Sequence, residues 1–155
     1  MAASCRFAFA LHVLAVLAMH PGTGVTSKLL GASVNTHPVV IRRLISALRK
    51  AGFVCCASGA KGGATLCRPP EEISLDAIYQ AIQPARAFAA HPQQPDAGCP
   101  VGRQIKTVLA DVFSTAEQAL HESLAQRTLA DVVATMSEEV PSPLRTRPPR
   151  RAVRA

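Results

Sequence analysis

Residues 26 to 68 read TSKLLGASVNTHPVVIRRLISALRKAGFVCCASGAKGGATLCR, and this stretch decides the fold. It predicts two short helices, a tight turn between them, and a glycine-tipped hairpin. Thr26 or Ser27 can cap a first helix running through Ser33, because a hydroxyl accepts an amide proton left free in the first turn. Leu29, Leu30 and Val34 are its expected inward residues, and Asn35 and Thr36 make the turn. Pro38 then occupies a first helical position, where its missing N–H is harmless, and Gly52 ends the second helix after about Lys50. Within that helix Ile41, Leu44, Ile45 and Leu48 form a stripe at helical spacing, which turns Val39, Arg42, Arg43, Ser46 and Lys50 toward solvent. After Gly52, Phe53 to Ala57 is apolar and strand-length, Gly59 to Gly63 is a flexible tip, and Ala64 to Cys67 returns. The layout is that of a winged helix-turn-helix.

Charge sharpens the reading. Eight lysines and arginines and no acid precede Glu71, residues 71 to 140 hold four bases and ten acids, and residues 141 to 155 hold five arginines. The net charge of +7 alone is a weak signal. Segregation of every acid to positions after residue 70 is stronger, because it gives the helix-turn-helix a surface of one sign, suited to a polyphosphate partner. In this motif the second helix lies in the major groove and its N-terminal residues meet base edges. Thr36, Val39, Arg42 and Arg43 are therefore expected at the bases of double-stranded DNA, with His37 at the helix start beside them. Lys28, Asn35, Lys61 and the tip glycines Gly62 and Gly63 would hold the backbone, the glycines by letting amides approach phosphate. A solvated turn without a ligand is the plainer reading of that tip. The order Gly-Ala-Lys-Gly-Gly is not a nucleotide P-loop, since no Ser or Thr follows the lysine and no helix follows the loop.

Before this module, MAASCRFAFALHVLAVLAMHPG offers two readings. Arg6 followed by the apolar run Phe7 to Met19 resembles a secretory leader, and a secreted basic protein is one alternative. The run is too short to span a bilayer, so no membrane association is expected. A helix explains the same residues, with Phe7, Leu11, Leu14 and Leu17 or Ala18 at helical spacing and Pro21-Gly22 as its stop. A three-helix DNA-binding core needs such a helix.

Beyond the hairpin, ISLDAIYQAIQ (73 to 83) is amphipathic, with Ser74 as cap and Ile73, Ala77, Ile78, Ala81 and Ile82 inward. A loop rich in Pro, Ala and Gln covers 84–98. A long helix opens near Pro100, striped by Ile105, Val108, Leu109, Val112, Phe113, Ala116, Leu120 and Leu124. Such a helix of roughly 25 residues spans about 37 Å, more than a small core can cover, so pairing with a second copy is expected. Thr128 caps a final helix, TLADVVATM, and an arginine- and proline-rich tail closes the chain. The expected organisation is a winged helix-turn-helix over 1–83, a loop over 84–98, dimerisation helices over 99–137 and a disordered basic tail over 138–155. The fold class is mainly α with a small β-hairpin.

With no tryptophan, one tyrosine and five phenylalanines, the core must be aliphatic, and single-strand binding by stacked aromatics is disfavoured. Five cysteines at irregular spacing fit reduced thiols in a cytoplasmic protein better than a disulfide framework. Cys55, Cys56 and Cys67 fall on the two hairpin strands; a cross-strand bridge requires a suitable register, and reduced, half-buried thiols are the expectation. Cys99 has two readings. It is a small buried residue at a loop-to-helix junction, or a redox-sensing thiol activated by the helix N-terminus, and the first is favoured. His12 and His121 read as isolated. No Ser/His/Asp or paired-carboxylate set stands out, so no enzyme is expected.

These residues resemble the Rrf2 family of bacterial transcriptional regulators, which includes iron-sulfur and nitric-oxide sensing repressors and cluster-free members. The resemblance lies in RFAFALHVLAVLA, in NTHPVVIRRLISALRKAGFV, in the wing GAKGGATLCRPPEEISL and in the CPVG that opens the long helix. It implies a homodimer, a palindromic operator, base reading by the helix starting at Pro38, and phosphate or minor-groove contact by the wing. Cluster-bearing members place three cysteines before the long helix. This chain has only Cys99, the last of them, and Gly102 where the iron-sulfur regulator has a histidine ligand. Cys99 and His91 fall short of four ligands, so no metal, iron-sulfur cluster or other cofactor is expected. Members often carry an arginine before the wing's first glycine, where this chain has Ser58, and an Asn or Ser cap where it has His37. The first departure keeps open a winged-helix protein-interaction module that has lost DNA reading; the second implies a slightly less stable helix start.

Overall fold

The computed structural model describes residues 5–59, 62–82, 87–89 and 91–139. Lys61 and the tail from residue 140 lie outside them, so the expectations placed there have no structural counterpart. The described residues form six helices and one antiparallel hairpin in the order α1 (Arg6–Ala18), α2 (Ser27–Val34), α3 (Pro38–Lys50), β1 (Val54–Ala57), β2 (Gly63–Leu66), a 3-10 turn (Pro70–Glu72), α4 (Leu75–Ile82), α5 (Pro100–Ala125) and α6 (Leu129–Glu139).

The leader-like segment is the centre of the core. Ala10, Val13, Leu14, Ala15, Val16 and Leu17 of α1 are all buried, and the helix packs against α2, α3, α4, α6 and β2. Covered from so many sides, it needs apolar residues nearly all round, which is why the single expected stripe was too narrow. At its end the His20 ring donates from Nδ1 to the Val16 carbonyl at 2.8 Å. His12 is not isolated either, since its Nε2 lies 3.0 Å from the Ser33 hydroxyl of α2.

In α2, Thr26 caps the first turn by accepting the Leu29 amide at 3.3 Å. Leu30 and Gly31 are buried, but Leu29 is 45% exposed rather than inward. An eight-residue helix seated on Leu30 has room for only a narrow buried face. It ends at Asn35, which adopts the left-handed conformation with φ 56°. The Thr36 amide then donates to the Gly31 carbonyl at 2.9 Å. A Cβ on Gly31 would sit 2.9 Å from the Thr36 carbonyl oxygen, so this turn closes tightly only over glycine.

His37 itself caps α3. Its Nδ1 accepts the Val39 amide at 3.2 Å, filling the role of an Asn or Ser cap. Behind it Ile41, Leu44 and Leu48 are buried and Ile45 partly so, as the stripe predicts.

The hairpin pairs Val54 with Leu66, Cys55 with Thr65, Cys56 with Ala64 and Ala57 with Gly63. Its second strand is also fastened from the other side, where Val25 and Ala64 exchange amide and carbonyl bonds of 2.9 Å each. Contrary to the expected reduced thiols, Cys55 and Cys67 form a disulfide. The register accounts for it: Cys67 lies two positions beyond the partner of Cys55, hence on the same face, with a Cα–Cα distance of 5.3 Å that a bridge can span. Cys56 alternates to the opposite face and remains a free, exposed thiol.

Past the 3-10 turn, Ser74 caps α4 by accepting the Ala77 amide at 3.2 Å. Ile73, Leu75, Ile78 and Ile82 are buried. The chain comes back to this region at α6: the Leu129 amide donates to the Ile73 carbonyl at 2.8 Å and the Leu75 amide to the Arg127 carbonyl at 2.9 Å. Leu129 is fully buried, and Val132 and Val133 pack against the same core.

Helix α5 differs from all of these, since none of its 26 residues is buried. The expected stripe divides into two. Ile105, Leu109, Phe113, Ala116, Leu120 and Leu124 are half-buried, whereas Val108 and Val112 are each 52% exposed and Val101 is 66% exposed. Its substantial helix neighbour is α4. Further toward its N-terminus, Phe88 stacks on Phe113 with ring centres 5.1 Å apart and Glu117 accepts the Ala87 amide at 2.9 Å.

Candidate nucleic-acid interface

The outward face of α3 is set by its inward one. With Ile41, Leu44 and Leu48 held in the core, Val39, Arg43, Ser46 and Lys50 fall on one line at spacings of four, three and four residues along the opposite side. All four are exposed, as are Arg42 and Arg49 beside them. Two cations sit in the last turn of the helix and no acid in its first. No carboxylate occurs in any element before Glu71, so nothing on α2, α3 or the hairpin neutralises this face from within.

Around that line stand the other expected contacts. Lys28 is exposed on the first turn of α2, Asn35 is exposed at the turn, and His37 is exposed with its Nδ1 engaged as the cap. Thr36 is half-buried, with its amide committed to Gly31. The fold thus gathers Lys28, Asn35, Thr36, His37, Val39, Arg42 and Arg43 onto two successive helices and the turn joining them.

The tip glycines have a steric reason to be there. A Cβ on Gly62 would overlap the Ala57 carbonyl, and one on Gly63 would lie 2.5 Å from the Gly24 carbonyl carbon, forcing β2 off its bridge to Val25. The Gly62 amide already donates to the Gly59 carbonyl at 2.9 Å and is committed inside the tip. Ser58 is exposed at the start of that tip.

Cys99 stands apart from this surface, as the residue preceding α5. It is exposed, which removes the buried packing reading, and its side chain makes no cap bond to the helix. Its amide donates to the Asp96 carbonyl at 3.2 Å, and its own carbonyl accepts the Arg103 amide at 3.1 Å. Gly102 lies so close to the Asp96 backbone that a Cβ would overlap the Asp96 carbonyl oxygen. No side chain, a histidine ligand included, fits there without displacing the loop. His91 shares its Nδ1 with the backbone of Gln93 at 2.9 Å. Among the described residues no three His, Cys, Asp or Glu side chains converge as a metal site. No helix among them is long and apolar enough to cross a membrane.

Sequence reading missed one cluster. His121 on α5 places its Nδ1 2.5 Å from the Asp76 carboxylate on α4, and its ring meets Tyr79 edge-on at 5.7 Å. Tyr79 in turn meets Phe7 of α1 edge-on at 5.4 Å. These contacts join α1, α4 and α5 across 45 residues of sequence between Asp76 and His121, and no local spacing announces them. At the other junction, the Thr128 amide donates to Asp131 at 2.7 Å and the Thr128 hydroxyl at 3.0 Å. Together, with Arg127 nearby, they hold the Asp131 carboxyl below its usual range.

Comparison with known proteins agrees with this geometry. The family model described as "Rrf2: Iron-dependent Transcriptional regulator" matches residues 3–135. The chain is 38% identical over 128 residues to "Putative HTH-type transcriptional regulator YwnA" of Bacillus subtilis strain 168, a match covering 83% of this chain and 94% of that protein. Among solved structures, a "putative DNA binding protein" is 37% identical with a TM-score of 0.65, covering 82% of this chain and 97% of that one. IscR of T. potens, 24% identical, shares the fold with a TM-score of 0.69 over 92% of this chain and 93% of its own.

Proposed function

The chain belongs to the Rrf2 family of transcriptional regulators, and from that premise we propose that it is a cytoplasmic repressor that binds a palindromic operator as a homodimer. The observation that carries the reading is the outward line of α3, where cations and small side chains are exposed with no acid among them. In the bound state Thr36, Val39, Arg42 and Arg43 meet base edges in the major groove. Lys28, Asn35, Lys61 and the wing tip hold the phosphates, with His37 beside the bases at the start of α3. Two copies pair through the exposed apolar strip Val101, Val108 and Val112 of α5, which sets the two reading helices about one helical turn of DNA apart, roughly 34 Å. Cys99, the exposed thiol preceding the same helix, is the residue through which an oxidation signal would reach it.

Binding of selected duplexes by the full chain over a salt series tests the proposal. Lys28, Arg49, Lys50 and Lys61 give eight phosphate contacts per dimer, so log affinity is expected to fall with log salt at a slope of about −7. Arg42→Ala and Arg43→Ala should erase sequence preference while leaving most of that slope. Sequence preference untouched by both substitutions would show that α3 does not read the bases. Affinity that is flat with salt would instead favour a winged helix turned to protein partners, the alternative that the exposed Ser58 at the wing supports.

A further inference from the structure

The outward line of α3 begins with a residue that neither helix stability nor charge explains. Val39 is 39% exposed and Val40 beside it is 42% exposed, directly ahead of Arg42 and Arg43. A β-branched side chain is a mediocre helix former, so an exposed position would ordinarily favour an unbranched or polar residue. Neither valine belongs to the core cluster or packs against it. The same turn also contributes a fully buried residue, Ile41, so the helix does not need Val39 or Val40 to anchor it.

Resting on the reading of α3 as the helix that enters the major groove, the chemistry of that groove limits what two exposed aliphatic side chains can recognise. Every base-pair edge there offers hydrogen-bond acceptors or donors, and only thymine adds a methyl group. We infer that Val39, with Val40 on its flank, reads the C5-methyl of a thymine in each half-site. Valine suits the task because its χ1 is held almost wholly in one rotamer within a helix, which fixes the position of its two methyls before contact. The charge around the pair selects the partner. Arg42 and Arg43 follow immediately and no acid stands in α2, α3 or the hairpin, so the partner that meets these valines is best matched by a polyanion.

Geometry extends the inference to spacing. Val39 and Arg43 are one turn apart on the same line, about 6 Å along the axis. An arginine at that position pairs best with the O6 and N7 of guanine. The operator half-site should therefore carry a thymine within about two base pairs of a guanine.

Selection of tight binders from a random duplex pool with the full chain, followed by replacement of each thymine with deoxyuridine, tests this directly, because the replacement deletes the methyl and nothing else. One thymine per half-site should weaken wild-type binding about fourfold when replaced, the scale of one buried methyl. In Val39→Ala the same replacement should change affinity by less than about twofold. Val39→Thr, which keeps the shape of the side chain and one methyl, should fall between them. Both substitutions are at an exposed position, and an unchanged melting curve verifies that the fold is intact. A selected operator that is indifferent to every thymine methyl, or a methyl effect that persists in Val39→Ala, overturns the inference and leaves the DNA-binding reading standing. Failure to select any operator, with binding to polyglutamate instead, overturns both and points to an acidic protein partner.

Discussion

Helices α1 and α5 are both rich in apolar residues, yet they have opposite fates. Six of the 13 residues of α1 are buried and it touches five other elements; α5 is twice as long and buries none. Apolar content therefore does not decide burial by itself. What decides it is how many sides of a helix the rest of the chain can reach. The hairpin, α2, α3, α4 and α6 close around α1, whereas α5 leaves the core at α4 and carries its valines outward. One helix holds the subunit together, and the other keeps an exposed apolar strip.

The strongest way to break this contrast is to injure the two helices separately. Leu14→Ala empties a fully buried site in α1 and should cost about 2 to 5 kcal/mol, lowering the melting temperature and operator affinity together. Val108→Asp with Val112→Asp places charges on residues already half in solvent, so the melting of a dilute subunit should move by less than about 1 kcal/mol. Sedimentation should nevertheless show a monomer. Equal thermal losses in the two variants, or an intact dimer in the second, would erase the distinction.

Helix α6 supplies the smaller refinement, because it packs with α1 through Leu129 while Asp131 in the same first turn is exposed. The Thr128 amide and hydroxyl lower the Asp131 pKa in the fold, so the ionised carboxylate contributes stability above its unfolded value near 3.8, and that contribution disappears as pH falls through the lowered folded value. An acid titration of wild type against Asp131→Asn should show the wild type losing its small advantage below that range. Thr128→Ala should remove about 1 kcal/mol near neutrality. Two acid limbs that superimpose would mean the cap contributes nothing to α6.

What the sequence disclosed follows the same division between local and distant causes. The inward stripe of α3 was legible because one helix lying on one core leaves a periodic trace. The hydroxyl caps Thr26, Ser74 and Thr128 were legible because the groups they satisfy lie within three residues. Leu29 was misjudged since eight residues are too few to define a face. His37 was judged by residue preference, whereas its Nδ1 performs the capping chemistry. The Cys55–Cys67 bridge depends on a strand register fixed by a tight tip, and Gly102 on a loop that folds back over it. Neither is written in a spacing. The candidate interface was legible as a set of residues on α2, the turn and α3; its exposed valines acquire meaning only once the buried face is known.

The separation of charge along the chain has a dynamic consequence. Bases without acids occupy α2 and α3, while acids such as Asp76, Asp111, Glu122 and Asp131 lie on α4, α5 and α6. A particle of this kind carries a permanent dipole, and in the field of a polyanion it experiences a torque before any atoms meet. It arrives already turned, so a larger fraction of collisions is productive and association outruns that of an evenly charged protein of the same net charge. Ions shorten the reach of that torque to about 8 Å at physiological strength, which confines the turning to the last moments of approach.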